Sequence, residues 1–314
     1  MRNRFRDSMI VIATGAVVAV LTLAVKPTAG QAQRYQAPRL AGTKYPDLSG
    51  IWQALNTANW DIQTHGARAA LAVVPGPAGD VPAAPVLALG AIAGVPGGLG
   101  VVEGNEIPYQ PWAAAKKKEN FDNILTRDPE VKCYLPGLPR AMYMPYPFQI
   151  IQGTNKIMTV FEFASANRVI HMDKVGPSLD DSWMGNSIGR WEGDTLVVDV
   201  TNLLENTWFD RAGNFHSDAL HLVERFTRID PNTIDYEVTI EDPKVFTRPW
   251  KMRMPLYRRL EKDVQLTEYK CVEFVEELVY GHLRKEQLVR HWEGETMAVD
   301  ITRKVPPLSK RYDR

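Results

Sequence analysis

Cysteine is scarce, net charge is absent, and long apolar runs are nearly so. Only Cys133 and Cys271 occur in 314 residues, with no C-x-x-C pair. That spacing argues against a redox dithiol or a thiolate-zinc ribbon. Basic and acidic side chains number 37 each. A nucleic-acid binder carries a basic excess to meet phosphates, so no nucleic-acid partner is expected. H-E-x-x-H, which would build metal geometry into a helix, is missing, and the string Gly185-Asn-Ser-Ile-Gly189 lacks the α/β alternation that would make it a nucleophile elbow. Gly97, Gly98 and Gly100 do not match the G-x-G-x-x-G phosphate cradle.

The longest mostly apolar run, Met9 to Val25, spans about 17 residues against the roughly 20 that cross a bilayer. Arg2, Arg4 and Arg6 precede it, and small residues follow it to Ala32. Basic head, apolar core and small-residue site make residues 1–32 a secretory signal peptide. The mature chain is then periplasmic or secreted, with no membrane span once the signal is cleaved. A retained anchor helix is the alternative. In an oxidising compartment Cys133 and Cys271 most simply form a disulfide; two separate buried thiols are the other reading.

Residues 33–48 read as a polar linker, and 49–314 as a single domain. Within it, residues 66–104 form an Ala/Gly/Pro-rich excursion. Lys116-Lys117-Lys118 opens a short charged helix candidate. From about residue 146 the pattern turns to short alternating strands separated by turns such as Asp230-Pro-Asn232 and Glu241-Asp-Pro243. Such spacing predicts an antiparallel β-sandwich or barrel. One short late helix is expected over Phe274 to Lys285. The string Trp191-Glu-Gly-Asp-Thr recurs as Trp292-Glu-Gly-Glu-Thr, and each copy predicts a glycine-turned hairpin.

Gly50-Ile-Trp52 opens the first expected strand. This G-x-W resembles the start of lipocalin-like (calycin) barrels, in which the tryptophan closes one end. Longer strings carry a second resemblance: Pro46-Asp-Leu-Ser-Gly-Ile-Trp52, Cys133-Tyr-Leu-Pro-Gly-Leu-Pro-Arg140, Gly189-Arg-Trp-Glu-Gly-Asp-Thr-Leu-Val-Val-Asp199 and Asp210-Arg-Ala-Gly-Asn-Phe-His-Ser-Asp-Ala-Leu-His221. They resemble a family of exported, β-rich bacterial proteins of uncharacterised activity. The resemblance implies an exported β-barrel and brings no reaction with it.

The richest chemistry lies in Asp210 to Arg225. On a strand from Ala219, period two sets His221, Val223, Arg225 and Thr227 on one face and Leu220, Leu222, Glu224 and Phe226 on the other. The polar face is spaced like a cavity lining, although which face points inward is open. His221 or His216, oriented by Asp210 or Asp218, could carry a proton near neutral pH. Arg225 would hold an anion or a developing oxyanion. The expected function is a cofactor-independent lyase, isomerase or hydrolase acting on an apolar or aromatic molecule. The same cavity used for binding alone is the runner-up. A metal at His216 and His221 is a minority reading, because residues five apart on a strand face opposite ways. A Ser217–His221–Asp hydrolase and a merely structural polar loop are further readings. Trp183, Trp208, Tyr236, Trp250 and Tyr143 are candidates to line an aromatic pocket.

Overall fold

The computed structural model describes residues 35–68, 73–75, 77–79, 81–82, 94–173, 180–269, 288–292 and 295–299. The chain divides into Met1–Gln36 and Ala37–Arg314, and the barrel belongs wholly to the second unit. The signal segment, Cys271 and the late helix expected over 274–285 lie outside the described residues. Among those described, no helix is long and apolar enough to cross a membrane.

The strands in chain order are β1 (Gly50–Ala54), the short β2 (Val73–Val74) and β3 (Val81–Pro82), β4 (Phe148–Gln152), β5 (Lys156–Phe161) and β6 (Asn167–His171). Then come β7 (Asn186–Glu192), β8 (Thr195–Thr201), β9 (His221–Asp230), β10 (Thr233–Glu241), β11 (Trp250–Arg258), β12 (Leu288–Trp292) and β13 (Glu295–Val299). Nine of them close into a lipocalin-like barrel in the order β1-β11-β10-β9-β8-β7-β6-β5-β4. An odd number of strands cannot close with every neighbour antiparallel. The one parallel contact is β6–β7, where Ile170 pairs with Ser187 and His171 with Ile188. The expected β-barrel is thus present, with this single parallel strand pair.

Period two then sorts the side chains. Leu222, Glu224 and Phe226 on β9, Ile234, Tyr236, Val238 and Ile240 on β10, and Met252, Met254 and Leu256 on β11 are all buried. Trp52, Phe148 and Phe161 occupy paired positions across β1, β4 and β5, with Phe148 and Phe161 ring centroids 5.5 Å apart. One end of the barrel carries the short turns. The other carries segments 55–68, 94–147, 202–220 and 242–249.

Gly50 has φ +147, and a Cβ there would lie 2.5 Å from the Arg258 guanidinium. Only glycine leaves that group room to lie over Trp52, 4.5 Å from its ring centroid. Trp52 is fully buried, with Arg228 of β9 6.0 Å from its ring centroid. Both copies of the Trp-Glu-Gly repeat form hairpins, with Glu192 paired to Thr195 and Trp292 to Glu295.

The described parts of two segments make contacts that their composition does not suggest. The 33–48 linker packs from Ala37 onward: Tyr45 stacks on Trp191 at 5.0 Å, and Arg39 pairs with Asp194 at 2.5 Å. The 66–104 excursion contains antiparallel bridges, His65 to Gly98 and Arg68 to Val95. Gly100 is there for fit: at φ +76, a Cβ would meet the Gln63 backbone at 2.6 Å. The charged helix spans Pro111–Asp122 (α1), with proline in its first turn, where a missing N–H breaks no helical bond.

Candidate functional site

The five residues expected to share one acid–base site do not meet. His221 and Arg225 point outward from β9. His221 is about one-third exposed, with Nδ1 3.0 Å from Glu241 and Nε2 3.3 Å from Asp199. Arg225 donates to Glu192 at 2.9 Å. Arg190 pairs with Asp199 in the same surface network. The face that looked like a cavity lining is therefore the outer wall of the barrel.

His216 lies in the loop before β9, where a convergent site would have needed it, but it is buried. Its Nδ1 donates to the Ser217 carbonyl at 2.8 Å, so Nε2 accepts from the Thr207 hydroxyl at 2.6 Å. Burial holds this imidazole below its ordinary pKa. Such a group favours the fold above the usual imidazole range and opposes it as pH falls through that range. It is a neutral packing residue, 5.4 Å from the Phe209 ring.

Asp210 is buried and accepts from the backbone N–H groups of Ile62, Ala212 and Asn214 and from the Asn214 amide. Burial pushes its carboxyl up to about 7, and nearby Asp61 adds to this. Its oxygens are spent on shaping the loop. Asp218 is exposed on Lys244 at 2.6 Å. Ser217 donates to Asp242 at 2.9 Å rather than to a histidine. Among the described residues, no group of His, Cys, Asp and Glu is disposed to hold a metal.

The aromatic candidates also divide. Tyr143, Tyr236 and Trp250 are buried. Tyr143 donates to the Phe209 carbonyl at 2.8 Å. Phe209 and Phe246 meet Trp250 edge-on at 5.7 and 5.3 Å. Trp208, also buried, borders a groove beside α1, and Trp183 stacks on Tyr134 of that groove.

Inside the barrel stands a polar cluster of which only Tyr236 was a candidate from the sequence. Arg168 on β6 donates through Nη1 to Glu224 on β9 at 2.8 Å. Two strands separate β6 from β9, so the bond spans the lumen rather than following the wall. Tyr236 donates to the other Glu224 oxygen at 2.7 Å. Burial first, then Glu224, keeps this phenol protonated well beyond its ordinary range. Thr159 is paired with Arg168 across β5–β6, and Ser187 lies on β7 beside Ile170. Arg168 Nε and Nη2, Ser187 Oγ and Trp250 Nε1 are buried with no hydrogen-bond partner in the protein.

The sequence reading also missed a charged cluster at the long-loop end. Arg140 donates to Asp128 at 2.9 and 3.2 Å, to Glu130 at 2.6 Å and to Asn59 at 2.8 Å. Arg211 adds two bonds to Glu130, at 2.7 and 2.5 Å. All five residues are buried. The network ties segments 59, 128–130, 140 and 211 into one cap. One signal was available: Arg140 stands alone in the apolar string Leu138-Pro-Arg-Ala-Met-Tyr-Met144, and a charge in such a string needs a buried partner. The chain matches no protein-family model, no curated protein and no solved structure.

Proposed function

We propose that this is an exported binding protein. It holds a small, neutral, largely apolar molecule in the barrel, with an oxygen of that molecule accepting from Arg168. The observation that carries the reading is the pair of Arg168 N–H groups, Nε and Nη2, buried without a protein acceptor. A buried donor left unmet costs about 1–3 kcal/mol, and more on a charged group. A fold that keeps one beside an equally unmet Ser187 hydroxyl has a use for it. The formal charges of Arg168 and Glu224 cancel, so the fitting guest is a ketone, ester or alcohol rather than an acid. Val198, paired with Glu224, and Phe226, whose ring lies 5.0 Å from that of Tyr236, suit the remainder of such a molecule. Acid–base turnover at His221 or His216 loses its support, since one faces outward and the other has both ring nitrogens engaged.

The neutral naphthyl ketone prodan is the probe. Wild-type protein should bind it saturably, with blue-shifted emission. Arg168→Met combined with Glu224→Gln leaves no lone buried charge and keeps an acceptor for Tyr236. That variant should bind about tenfold or more weakly with little change in melting temperature. Equal affinity in the two proteins, or no binding by the wild type, sinks the reading.

Export and the Cys133–Cys271 pairing belong to the same proposal and share a test. Cys133 ends the turn Pro129–Lys132 in a left-handed conformation; Cys271 is outside the described residues. Intact mass of the exported chain should match cleavage near Ala32. Alkylation without reduction should add nothing, and alkylation after reduction should label both thiols. Two labels before reduction would refute the disulfide.

A further inference from the structure

We propose that the groove between α1 and the Asn206–Trp208 segment is a second binding site, one that takes a planar aromatic anion. It is independent of the barrel interior. Its volume is about 320 Å³, and Lys116, Asn120, Arg127, Tyr134, Asn206 and Trp208 line it. That volume is at the small end of the range for ligand sites, enough for one or two fused rings.

The walls are flat and braced. Tyr134 is 48% exposed, and its ring is backed by Trp183 at 5.0 Å with 27° between planes. Trp208 is bridged to Phe215, which meets Trp112 edge-on at 6.0 Å. Trp208 is itself only 7% exposed, so the braced Tyr134 ring supplies the stacking area, with little side-chain freedom left to lose on binding.

The charge on the groove is positive. Lys116 and Arg127 share a single carboxylate, Glu119, at 3.3 and 2.5 Å. Hydrogen bonds from Arg127 and then Lys116 hold Glu119 below the ordinary carboxylate pKa, so it neutralises one cation and leaves the other in excess. The neighbouring lysines do not supply this charge, because Lys117 donates to Gln63 and Lys118 pairs with Asp122. Asn206 is an exposed amide at the rim, and Asn120 Nδ2 is occupied by the Gly213 carbonyl. A ring stacked on Tyr134 whose carboxylate or sulfonate reaches Arg127 meets both the exposed ring and the cation of the groove. Arg is suited to that contact because its fork matches a planar anion and does not lose its charge.

The probe is 2-naphthoate, followed by tryptophan quenching and by calorimetry on the full mature chain. Saturable binding that weakens as salt rises is expected. Arg127→Gln and Tyr134→Ala sit on exposed positions and should leave the fold intact. Each should weaken binding about tenfold, and the methyl ester of the probe should bind as poorly as the Arg127 variant binds the acid. Arg168→Met/Glu224→Gln should leave naphthoate affinity unchanged, which separates this site from the barrel interior. The proposal is overturned by no binding below about 1 mM, by equal affinity for acid and ester, or by variants that bind like the wild type. It is equally overturned if the barrel variant alone removes binding.

Discussion

Arg140→Met is expected to lower the unfolding free energy by about 3–5 kcal/mol, the usual result of stranding a buried partner charge. Methionine fills much of the same space, so the loss comes from electrostatics rather than from a cavity. Asp128 would lose both bonds from Arg140 and keep the backbone N–H of Glu130, and Glu130 would keep Arg211 and Asn59. In a domain of this size the melting temperature should fall by about 6–20 °C. Arg140→Lys retains the charge without the fork and should cost less. The acid limb carries a second signature. Burial alone would raise the Glu130 pKa, but Arg211 and then Arg140 hold it down to about 2. A carboxyl depressed in the fold stabilises it above the unfolded value of about 4.3, and that stabilisation is lost as pH falls toward 2. Removing Arg140 raises the Glu130 pKa toward its ordinary value, so the acid-dependent loss from this residue becomes shallower. Urea unfolding at pH 7 and pH 3 measures both effects. A loss under about 1 kcal/mol at pH 7 would mean that the network is wetted, like a surface pair.

The barrel was legible because its signals are local. Alternation along Ile234 to Ile240 marks a strand, and Gly193 marks a hairpin turn, whatever surrounds them. The direction of a face is not local. In β9 the sequence offers one face with His221 and Arg225 and another with Glu224 between Leu222 and Phe226. The polar-rich face is spaced like a lining, but spacing alone leaves open which face turns inward. The barrel instead buries the apolar face, and its Glu224 is met by Arg168, 56 residues away. No spacing rule links those two positions. The same holds at the cap, where Arg211 finds Glu130 across 81 residues. His216 shows the opposite failure. Its loop position was the one a convergent site required, but a buried loop needs its own polar atoms satisfied first. The Thr207 hydroxyl and the Ser217 carbonyl take both ring nitrogens before any substrate could. Gly98 and Gly100 likewise answer to close approach, of the Thr57 side chain and of the Gln63 backbone, which only three-dimensional contact reveals.

Trp52→Ala should destabilise the protein by about 3–5 kcal/mol, as truncation of a buried tryptophan generally does, and the loss should concentrate at the strand that closes the barrel. Trp52 is fully buried, and burial of so large a ring dominates its surroundings. Its Nε1 donates to the Leu48 carbonyl at 3.0 Å. Two guanidinium groups lie near its ring, Arg258 at 4.5 Å and Arg228 at 6.0 Å. Those arginines hold the chain on either side: Arg228 donates to the carbonyls of Asp47 and Pro231, and Arg258 to that of Ser49. One ring therefore organises the contacts that fasten β1 to the rest. The strand has little else, with three residue pairs to β11 and three to β4. Without Trp52 the β1 seam should open before the β8–β9–β10 wall, so hydrogen exchange in residues 50–54 should accelerate far more than in 222–226. Trp52→Phe keeps an aromatic face and loses the Nε1 bond, so it should cost about 1–2 kcal/mol. Uniform acceleration across all strands in Trp52→Ala would mean that the barrel opens as a single unit, and the assignment of Trp52 as the local closure would fall.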